Sequence, residues 1–495
     1  MACEPEAGAG AARRHREAAR PWRVVACTLL SGVALFLSTG LGTQWTLAWI
    51  AAVPLLWLAF GAGPGWRVFA AAFVANLLGQ ANLLPAYAGA MPWSMLGLYF
   101  AVQALLFAVA IAGARIAYRR LGATAGIVAF AALWAGGDFL VAFSPATGSI
   151  LTPAAVQVGA PALVQSASLV GFSGVTFLIG AVSAGLAVAL RERRLAPAVA
   201  VLMLFAANAG FGAWRMSLPA PGTMRVALVA ADDVIGRFEE DDRESALRAI
   251  DAYAAQAARL RDAAPALIVL PENIARIAPA WQAEAQAPLA AAAEATGALV
   301  VAGFNARVAD AQRVVAWAYP SGGGAPATYA KRRLVPGLET TKYAPGGGPM
   351  LLHVRGASAG DARVGLAICK DMDFQAMVRA DVAATRPQLL AVPASDFGAD
   401  GWSHARVAIL RGVENGVAVA RSARRGMLTV SDRHGRVVAS TQSRAGFATL
   451  VADLPLHQAR ATVYGRGGDW FGWACLALGA ALPVAAAFRH GRAMA

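Results

Sequence analysis

Three polar residues each follow an apolar, strand-like run in the second half of the chain. Glu272 follows ALIVLP, Lys331 follows ATYA and Cys369 follows VGLAI. A thiol must lose its proton to act as a nucleophile, and a nearby carboxylate can accept that proton. An ammonium group can then stabilise the oxyanion that forms when the thiolate attacks a carbonyl. The three residues together therefore predict an acyl-transfer site, provided that they meet in one pocket.

Each of these residues also has a purely structural explanation. A cysteine at the end of a strand is often a small buried hydrophobe. Glu272 could be an acid at a helix N-terminus, and Lys331 could be a solvated member of the basic run 331–333. Because all three occupy the same context, directly after a buried strand, we favour the site over three unrelated explanations.

The elements around these residues predict an α/β sandwich over residues 222–462. Apolar strand patterns alternate with helical patterns early in this region, and hairpin-like pairs of strands follow later. The glycine-rich stretches lack a Gly-Lys-Ser/Thr signature, which argues against a phosphate-binding loop. The predicted strands cover 224–230, 266–270, 298–304, 364–369 and 388–394, and the predicted helices cover 240–263 and 403–415.

The composition indicates a membrane protein. The 495 residues are 58% hydrophobic and only 15% charged, whereas charged residues make up about 25% of ordinary soluble chains. A basic tail, residues 1–23, precedes the first apolar segment, which we interpret as a retained anchor and not a cleaved signal peptide. A helical membrane domain is expected over 24–215, a single membrane helix over 469–488, and a short tail over 489–495. Candidate spans in the first domain are 24–41, 43–60, 66–84, 93–117, 123–142, 163–190 and 196–215.

The basic residues follow the pattern of a topology signal. Arginines lie after the even-numbered spans, whereas the loops 85–92 and 143–162 contain no lysine or arginine. Because basic loops stay in the cytoplasm, this pattern predicts that both tails are cytoplasmic and that the sandwich lies on the outer side. The net charge of +14 is then mainly a topology signal, so we exclude nucleic acid as a partner.

The cysteines and the polar residues of the membrane segments give weaker indications of function. The cysteines are Cys3, Cys27, Cys369 and Cys475, without a CxxC pair, so we predict neither a zinc site nor a disulfide framework. We also predict no other metal site and no cofactor. Asp138 lies in a membrane segment, where it either faces a cavity or is solvated near the outer interface. Asn76, Gln80 and Asn82 are interpreted as hydrogen-bonding groups between membrane helices.

The motifs around the three residues resemble those of the nitrilase, or carbon–nitrogen hydrolase, superfamily. These motifs are LPEN with Glu272, YAKRRLVPGLE with Lys331, and AICKD with Cys369. The helical domain before them and the single helix after them are similar to the apolipoprotein N-acyltransferase family. The resemblance implies an αββα sandwich in which Glu272 is the general base, Lys331 stabilises the intermediate and Cys369 is the nucleophile. It also implies that Glu339 is a second acid supporting the site.

Several positions depart from the pattern of that family. Lys370 and Asp371 stand where Tyr-Glu is usual, and the run Ser-Asp-Phe-Gly, with Asp396 and Phe397, is shorter than expected. An aromatic contact is therefore missing or is supplied by Trp402. The end of the late strand, Ala-Arg-Arg-Gly at 423–426, also differs from the Asn-Thr-Gly-like turn that is common in that family. We treat Lys370, Asp371, Asp396, Phe397 and Trp402 as candidate supporting or substrate-binding residues, and the acyl acceptor stays open.

The resemblance implies transfer of a fatty acyl group from a membrane phospholipid to a lipoprotein. The acyl group would pass through a thioester to the N-terminal amine of a diacylglyceryl-cysteine, in the bacterial inner membrane with the catalytic domain on the periplasmic side. One alternative is a membrane-tethered amidase or related hydrolase, in which water replaces the amine. Another is a non-catalytic membrane partner that has kept the fold.

Overall fold

The computed structural model describes residues 21–89, 91–236, 242–357 and 360–493. The chain divides into two compact units. Among the described residues, the helical unit contains those up to Val141, Leu151–Ala213 and those from Asp469 onward. The sandwich unit contains Trp214–Gly468 together with Ala142–Ile150. A short stretch between two helices of the helical unit is thus part of the sandwich unit.

The helical unit is built from apolar helices of very different lengths. Large side chains such as Leu30, Met203 and Phe488 are exposed on these helices, as expected where a helix faces lipid. In chain order the helices are α1 Pro21–Ser38, α2 Trp45–Ala48, α3 Val53–Ala59, α4 Gly65–Gln80, α5 Leu84–Tyr87, α6 Trp93–Leu121, α7 Ala123–Val141, α8 Pro153–Val156, α9 Ala167–Val170, α10 Phe172–Glu192 and α11 Ala196–Met216.

The prediction of one continuous helix over 43–60 is wrong. Two short helices, α2 and α3, occupy this segment, and Pro54 lies in the first turn of α3, where a proline is tolerated. The residues at the break, Trp49, Ala51 and Ala52, are buried, and the Ser183 hydroxyl donates a 2.7 Å hydrogen bond to the Trp49 carbonyl. The predicted helix over 163–190 is likewise interrupted, because Gly171 adopts φ +70° before α10 begins.

Basic side chains near several helix ends lie close together. Arg115 donates hydrogen bonds to the carbonyls of Ala59, Gly61 and Gly63 at the end of α3. The Arg191 guanidinium lies 5.4 Å from the ring centroid of Trp57 in the same helix. The carboxyl ends of α3, α6 and α10 are therefore neighbours within the helical unit.

In the part of the sandwich unit that the structure describes, two sheets have six strands each in a continuous order, and one additional short strand pairs with the first sheet. The first sheet has the order β13-β1-β2-β4-β5-β6 with β3 beside β4, and the second has the order β12-β11-β10-β9-β8-β7. The strands are β1 Gly222–Ala231, β2 Leu267–Val269, β3 Arg276–Ile277, β4 Leu299–Val308, β5 Ala311–Tyr319, β6 Ala327–Ala330, β7 Leu351–Ala357, β8 Gly360–Leu366, β9 Leu389–Ser395, β10 Ala418–Arg424, β11 Met427–Ser431, β12 Val437–Gln442 and β13 Phe447–Leu456.

Alternating side chains along the strands divide the apolar core into layers. In β1, Val226 and Leu228 belong to the core between the two sheets, whereas Ala227 and Val229 belong to the core beneath the outer helices, as a period of two requires. This architecture confirms the predicted αββα sandwich. Its helices are α12 Arg243–Ala258, α13 Gln282–Thr296, α14 Gln375–Thr385, α15 Gly401–Asn415 and α16 Val463–Gly467.

The final helix, α17 Trp470–Ala493, returns the chain to the helical unit. The Arg120 side chain near the end of α6 donates a hydrogen bond to the carbonyl of Ala486 in this helix. Among the described residues, seven helices are long and apolar enough to cross a membrane. The prediction had eight such segments, and the missing long helix is the interrupted segment formed by α2 and α3.

Candidate active site

Glu272 is held by the backbone of both sheets. It lies beyond the end of β2, and its backbone N–H donates to the carbonyl of Ala394 in β9 of the other sheet. The neighbouring strand approaches very closely, because a Cβ added at Gly303 would lie 2.6 Å from the Glu272 Cα. Glycine is therefore the residue that this contact admits. These contacts fix the position of the carboxylate, which is only 1% exposed.

Lys331 joins two buried carboxylates. It follows β6 directly, and its Nζ lies 2.8 Å from Glu272 Oε1 and 2.8 Å from Glu339 Oε1. The second oxygen of Glu339 accepts a 2.8 Å hydrogen bond from the backbone N–H of Val335. Burial alone would lower the pKa of Lys331, but the carboxylates of Glu272 and Glu339 hold this pKa well above its ordinary value. The ammonium therefore stays charged between its partners.

Cys369 occupies a turn and not the strand that was predicted over 364–369. Strand β8 ends at Leu366, and a 3₁₀ turn begins at Cys369 itself. The cysteine has φ +42°, a left-handed conformation that non-glycine residues adopt mainly where the surrounding structure imposes it, as at functional sites. Its Sγ lies 3.5 Å from the Ser395 carbonyl oxygen, to which it donates. The turn thus presents the thiol at the edge of the second sheet.

The charges at the site explain how the thiol could be activated. Burial, and then the nearby Glu272 carboxylate, raise the pKa of the Cys369 thiol well above its ordinary value, although Lys331 acts in the opposite direction. Burial also raises the pKa of Glu272 to about 7, against the lowering effects of Lys331 and of hydrogen bonding with Cys369. A protonated thiol therefore lies beside a carboxyl group whose pKa suits proton transfer near neutral pH.

Asp371 connects the nucleophile turn to the segment that carries Lys331. Its Oδ2 accepts hydrogen bonds from the Ile368 N–H at 3.0 Å and the Tyr329 hydroxyl at 2.8 Å. Its Oδ1 accepts from the N–H groups of Arg332 and Arg333 at 3.1 and 2.8 Å. Four donors thus converge on one carboxylate that is fully buried. We infer that Asp371 positions Cys369 relative to Lys331.

We expect Asp371→Asn to lower both stability and activity. The amide nitrogen of asparagine cannot accept a hydrogen bond, so two of the four donors would lose their acceptor. Leaving buried donors unsatisfied should lower the free energy of unfolding by about 1–3 kcal/mol. The resulting displacement of Cys369 should lower kcat by about 10- to 100-fold. Chemical denaturation and steady-state kinetics measure the two effects. The matched control, Asp262→Asn, changes an exposed acid of the same unit; if both variants retained normal kcat, the positioning role would be refuted.

The hydrogen bond and the ion pair of Lys370 are with groups other than Glu272 and Glu339. Its Nζ donates a 2.6 Å hydrogen bond to the Ala146 carbonyl and lies 3.7 Å from Asp373 Oδ2. The hydroxyl and backbone N–H of Ser149 both donate to the Asp373 carbonyl, at 2.8 and 2.9 Å. Residues 142–150 are therefore fastened to the turn that carries the nucleophile. A direct role for Lys370 in substrate binding stays a prediction, and its observed contacts are structural.

The other candidates occupy the segment after β9. Asp396 is buried and forms a two-pronged ion pair with Arg421, a residue that the sequence analysis did not select. An arginine inside the apolar run VAVARS was the available signal, because a buried cation requires a partner. Phe397 and Trp402 are half-buried, and the Phe397 N–H donates to Asp400. Substrate contacts by Phe397 and Trp402 stay predictions.

The described residues contain no cluster of three or more histidine, cysteine or acidic side chains suited to a metal ion. The described cysteines, Cys27, Cys369 and Cys475, are free and buried, whereas Cys3 lies outside the described residues. The groups that meet at the site include a thiol, two carboxylates and an ammonium group. This set suits nucleophilic attack on a carbonyl carbon.

Comparisons with known proteins match both halves of the chain. The family model described as apolipoprotein N-acyltransferase N-terminal domain matches residues 31–185, and that described as carbon-nitrogen hydrolase matches residues 225–464. An apolipoprotein N-acyltransferase of Geobacter metallireducens is 27% identical, covering 95% of this chain and 96% of that protein. One of Rhizobium etli is 33% identical, covering 48% of each chain. Among solved structures, an amidase from Nesterenkonia sp. is 23% identical, with a TM-score of 0.39 over 48% of this chain and 93% of that one.

Proposed function

We propose an acyl-transfer function for this chain, which belongs to the apolipoprotein N-acyltransferases, membrane-bound members of the carbon–nitrogen hydrolase superfamily. The fatty acyl group would come from a membrane phospholipid and pass through a thioester on Cys369. The acceptor would be the N-terminal amine of a diacylglyceryl-cysteine lipoprotein. The observation that carries this proposal is the buried Lys331 ammonium, bound to Glu272 and Glu339, with the Cys369 thiol beside Glu272.

The first half-reaction would form the thioester. Glu272 takes the proton of the Cys369 thiol, and the thiolate attacks the ester carbonyl of the phospholipid. The Lys331 ammonium stabilises the oxyanion of the tetrahedral intermediate. When the intermediate collapses, the C–O bond breaks and the departing lysophospholipid alkoxide receives the proton from Glu272. Cys369 is left acylated and Glu272 is again ionised.

The second half-reaction would transfer the acyl group to the amine. The neutral amine attacks the thioester carbonyl, and Lys331 again faces the oxyanion. Glu272 accepts a proton from the attacking nitrogen, and collapse of the intermediate breaks the C–S bond. The proton then passes from Glu272 to the thiolate, which restores the thiol and leaves an amide product. The same three side chains therefore suffice for both steps.

The charge pattern supports a sandwich unit on the outer side of the bacterial inner membrane. The chain is a multi-pass membrane protein, and the arginines near the carboxyl ends of α3, α6 and α10 lie together. Basic residues favour the cytoplasmic side of a membrane, so we place this group of arginines there. The interrupted segment 45–59 must then cross the membrane once, because the carboxyl end of α3 lies beside these arginines. The chain would then leave α11 on the outer side and return through α17 to a cytoplasmic tail. Labelling of a cysteine placed at Asp262 by a membrane-impermeant reagent in intact spheroplasts tests this arrangement.

The rate of thioester formation should rise with pH through the pKa of Glu272. The carboxyl can accept the thiol proton only when it is ionised, and burial raises its pKa to about 7. Below that pH the rate should therefore fall about tenfold per pH unit, and above it the rate should level off. Single-turnover acylation without an amine acceptor isolates the titration of Glu272. With the acceptor present, its α-amine would also titrate, near pH 8.

The variant Glu272→Gln provides the control for the pH dependence. It preserves the shape of the side chain but cannot take the proton, so acylation should be slow at every pH and its inflection near 7 should disappear. General-base removal typically costs about 10²- to 10⁴-fold in rate. An unchanged pH profile in this variant would assign the titration to another group.

Product analysis distinguishes transfer from hydrolysis. The purified chain is incubated with phospholipid and a lipopeptide that has a free N-terminal amine, and the products are measured by mass spectrometry. We expect an N-acylated lipopeptide and a lysophospholipid in equal amounts. Release of free fatty acid, with the lipopeptide unchanged, would contradict transfer and support a membrane-tethered hydrolase.

A further inference from the structure

A cavity in the sandwich unit is lined by four arginines. Its volume is about 360 Å³, which lies within the range of about 300–1,000 Å³ that is typical of small-molecule sites. No aspartate, glutamate or lysine is among the described residues that line it. Four like charges around one space repel one another unless an anion lies between them. The arginines come from three segments of the chain and are Arg379, Arg386, Arg460 and Arg466.

This arginine cavity lies at the opposite ends of the strands from the proposed catalytic residues. Pro387 and Val417 line it and stand shortly before strands β9 and β10, which are parallel. The Ser395 carbonyl, which accepts from the Cys369 thiol, lies at the far end of β9. The seven residues of β9 span about 20 Å. The arginine cavity is therefore separate from the side chains of the proposed acyl transfer.

Two buried polar atoms of residues that line the cavity have no partner among the described residues. They are Arg379 Nε, a donor, and Asn415 Oδ1, an acceptor. The Asn415 side chain is 1% exposed, and its Nδ2 donates to the Arg411 carbonyl at 2.9 Å, which fixes the orientation of the amide. A Cβ added at Gly468 would lie 3.2 Å from Arg379 Cζ, so the backbone there packs against the guanidinium. An occupant with both acceptor and donor groups would satisfy the two atoms.

Helix ends explain only part of the positive charge at the cavity. The carboxyl ends of α14 and α15 lie beside it, and each helix end carries about half a negative charge. Two such ends offset about one of the four positive charges. The acids nearest in sequence have other partners, because Asp381 pairs with Arg332 and Glu414 pairs with Arg411. The remaining positive charge suits the cavity to an anion.

We propose that this cavity binds a phosphate group with a net negative charge. Guanidinium groups bind phosphate through paired hydrogen bonds. Phosphate oxygens point in tetrahedral directions, so arginines from three segments can each reach one, whereas the two oxygens of a carboxylate lie in one plane. A hydroxyl attached to or near the phosphate would donate to Asn415 Oδ1. The headgroup of an anionic glycerol phospholipid and free hydrogen phosphate share this chemistry.

Chain order makes a lipid headgroup the first source to test. Arg466 precedes Trp470, the first residue of the apolar helix α17, by only four residues. The full-length Cys369→Ala chain, which cannot consume lipid by acyl transfer, is placed in nanodiscs of equal parts phosphatidylglycerol and phosphatidylcholine. Retained lipid is measured by native mass spectrometry. We expect a preference of about tenfold for phosphatidylglycerol, equivalent to about 1.4 kcal/mol, because choline brings a positive charge and no hydroxyl.

Free phosphate is tested with the same chain in detergent. Its thermal unfolding is measured in sodium phosphate and in sodium chloride at equal ionic strength, because a ligand that binds the folded chain raises the unfolding temperature. A higher unfolding temperature in phosphate, without a preference for phosphatidylglycerol, would identify free phosphate as the ligand. Phosphate also stabilises proteins in general, so the comparison of variants decides whether the effect belongs to the cavity.

Matched double variants locate the effect. Arg460→Gln/Arg466→Gln removes two charges at exposed positions of the cavity, so the lipid preference or the stabilisation by phosphate should disappear. The control, Arg259→Gln/Arg261→Gln, removes the same charge from exposed positions of the same unit that do not line the cavity. It should behave as the parent chain. If the first variant does not fold, Arg386→Asn replaces it, because asparagine tolerates the left-handed φ of +49° at that position.

Two results would overturn the proposal. One is equal retention of the two lipids together with the same unfolding temperature in phosphate and in chloride. The other is a lipid preference or a phosphate effect that persists unchanged in the cavity variant, or that the control variant loses equally. Because binding is measured in a chain without the nucleophile, neither result depends on whether the proposed acyl transfer is correct.

Discussion

The variant Cys369→Ala should lose acyl transfer completely while keeping its fold. The Cys369 thiol lies beside Glu272 and Lys331, and removal of a covalent nucleophile typically costs on the order of 10⁴- to 10⁶-fold in kcat. Alanine fits in the space of cysteine, so the thermal unfolding temperature should change little. Product formation from phospholipid and lipopeptide measures the first effect, and circular dichroism measures the second.

The other described cysteines supply matched controls for this substitution. Cys27 and Cys475 are buried in helices α1 and α17, and Cys27→Ala and Cys475→Ala should retain normal turnover. Cys369→Ser adds a stricter comparison, because it keeps a hydroxyl in the same place but offers a far poorer nucleophile at this pH. Normal transfer by Cys369→Ala would remove the thioester from the proposed mechanism.

The variant Lys331→Met should damage both folding and catalysis. Lys331 is 1% exposed and separates the carboxylates of Glu272 and Glu339. Without the ammonium the two buried acids would face each other uncompensated, and loss of one partner from a buried ion pair costs about 3–5 kcal/mol. Loss of the oxyanion partner should also lower kcat by about 10²- to 10³-fold. Denaturation and kinetics on the purified chain measure these losses.

A double variant separates the two effects of Lys331. In Lys331→Met/Glu339→Gln one of the uncompensated acids is neutral, so part of the lost stability should return. The oxyanion partner is still absent, so activity should not recover. If activity returned together with stability, Lys331 would be a structural residue and its assigned catalytic role would be wrong.

The sequence was sufficient to predict which residues meet, but not how the chain holds them. Glu272, Lys331 and Cys369 follow buried strands, and strand ends gather at the edges of sheets, so their proximity could be predicted. The left-handed φ of Cys369 and the four donors around Asp371 could not. Those features depend on loop geometry and on backbone groups, which every residue carries and which no residue type reveals.

Other differences arise from tertiary contacts that compete with local patterns. Lys370 stands beside the nucleophile in sequence, which suggested a place in the substrate pocket, yet the Ala146 carbonyl binds its ammonium. The apolar run 43–60 has the composition of a membrane helix, but it is interrupted, and Ser183 of α10, a helix far away in the sequence, donates a hydrogen bond to the interruption. In both cases the deciding partner is more than a hundred residues away, beyond the reach of any local pattern.

The central claim is that Cys369 carries the acyl group between donor and acceptor, and its most direct test is the mass of the protein after incubation with phospholipid alone. We expect one added acyl mass, located on the peptide containing Cys369, removed by hydroxylamine and transferred to an amine when lipopeptide is added. The same treatment of Cys369→Ala should add nothing. An unmodified wild-type chain that still produces N-acylated lipopeptide, or an acyl group on another residue, would contradict the account.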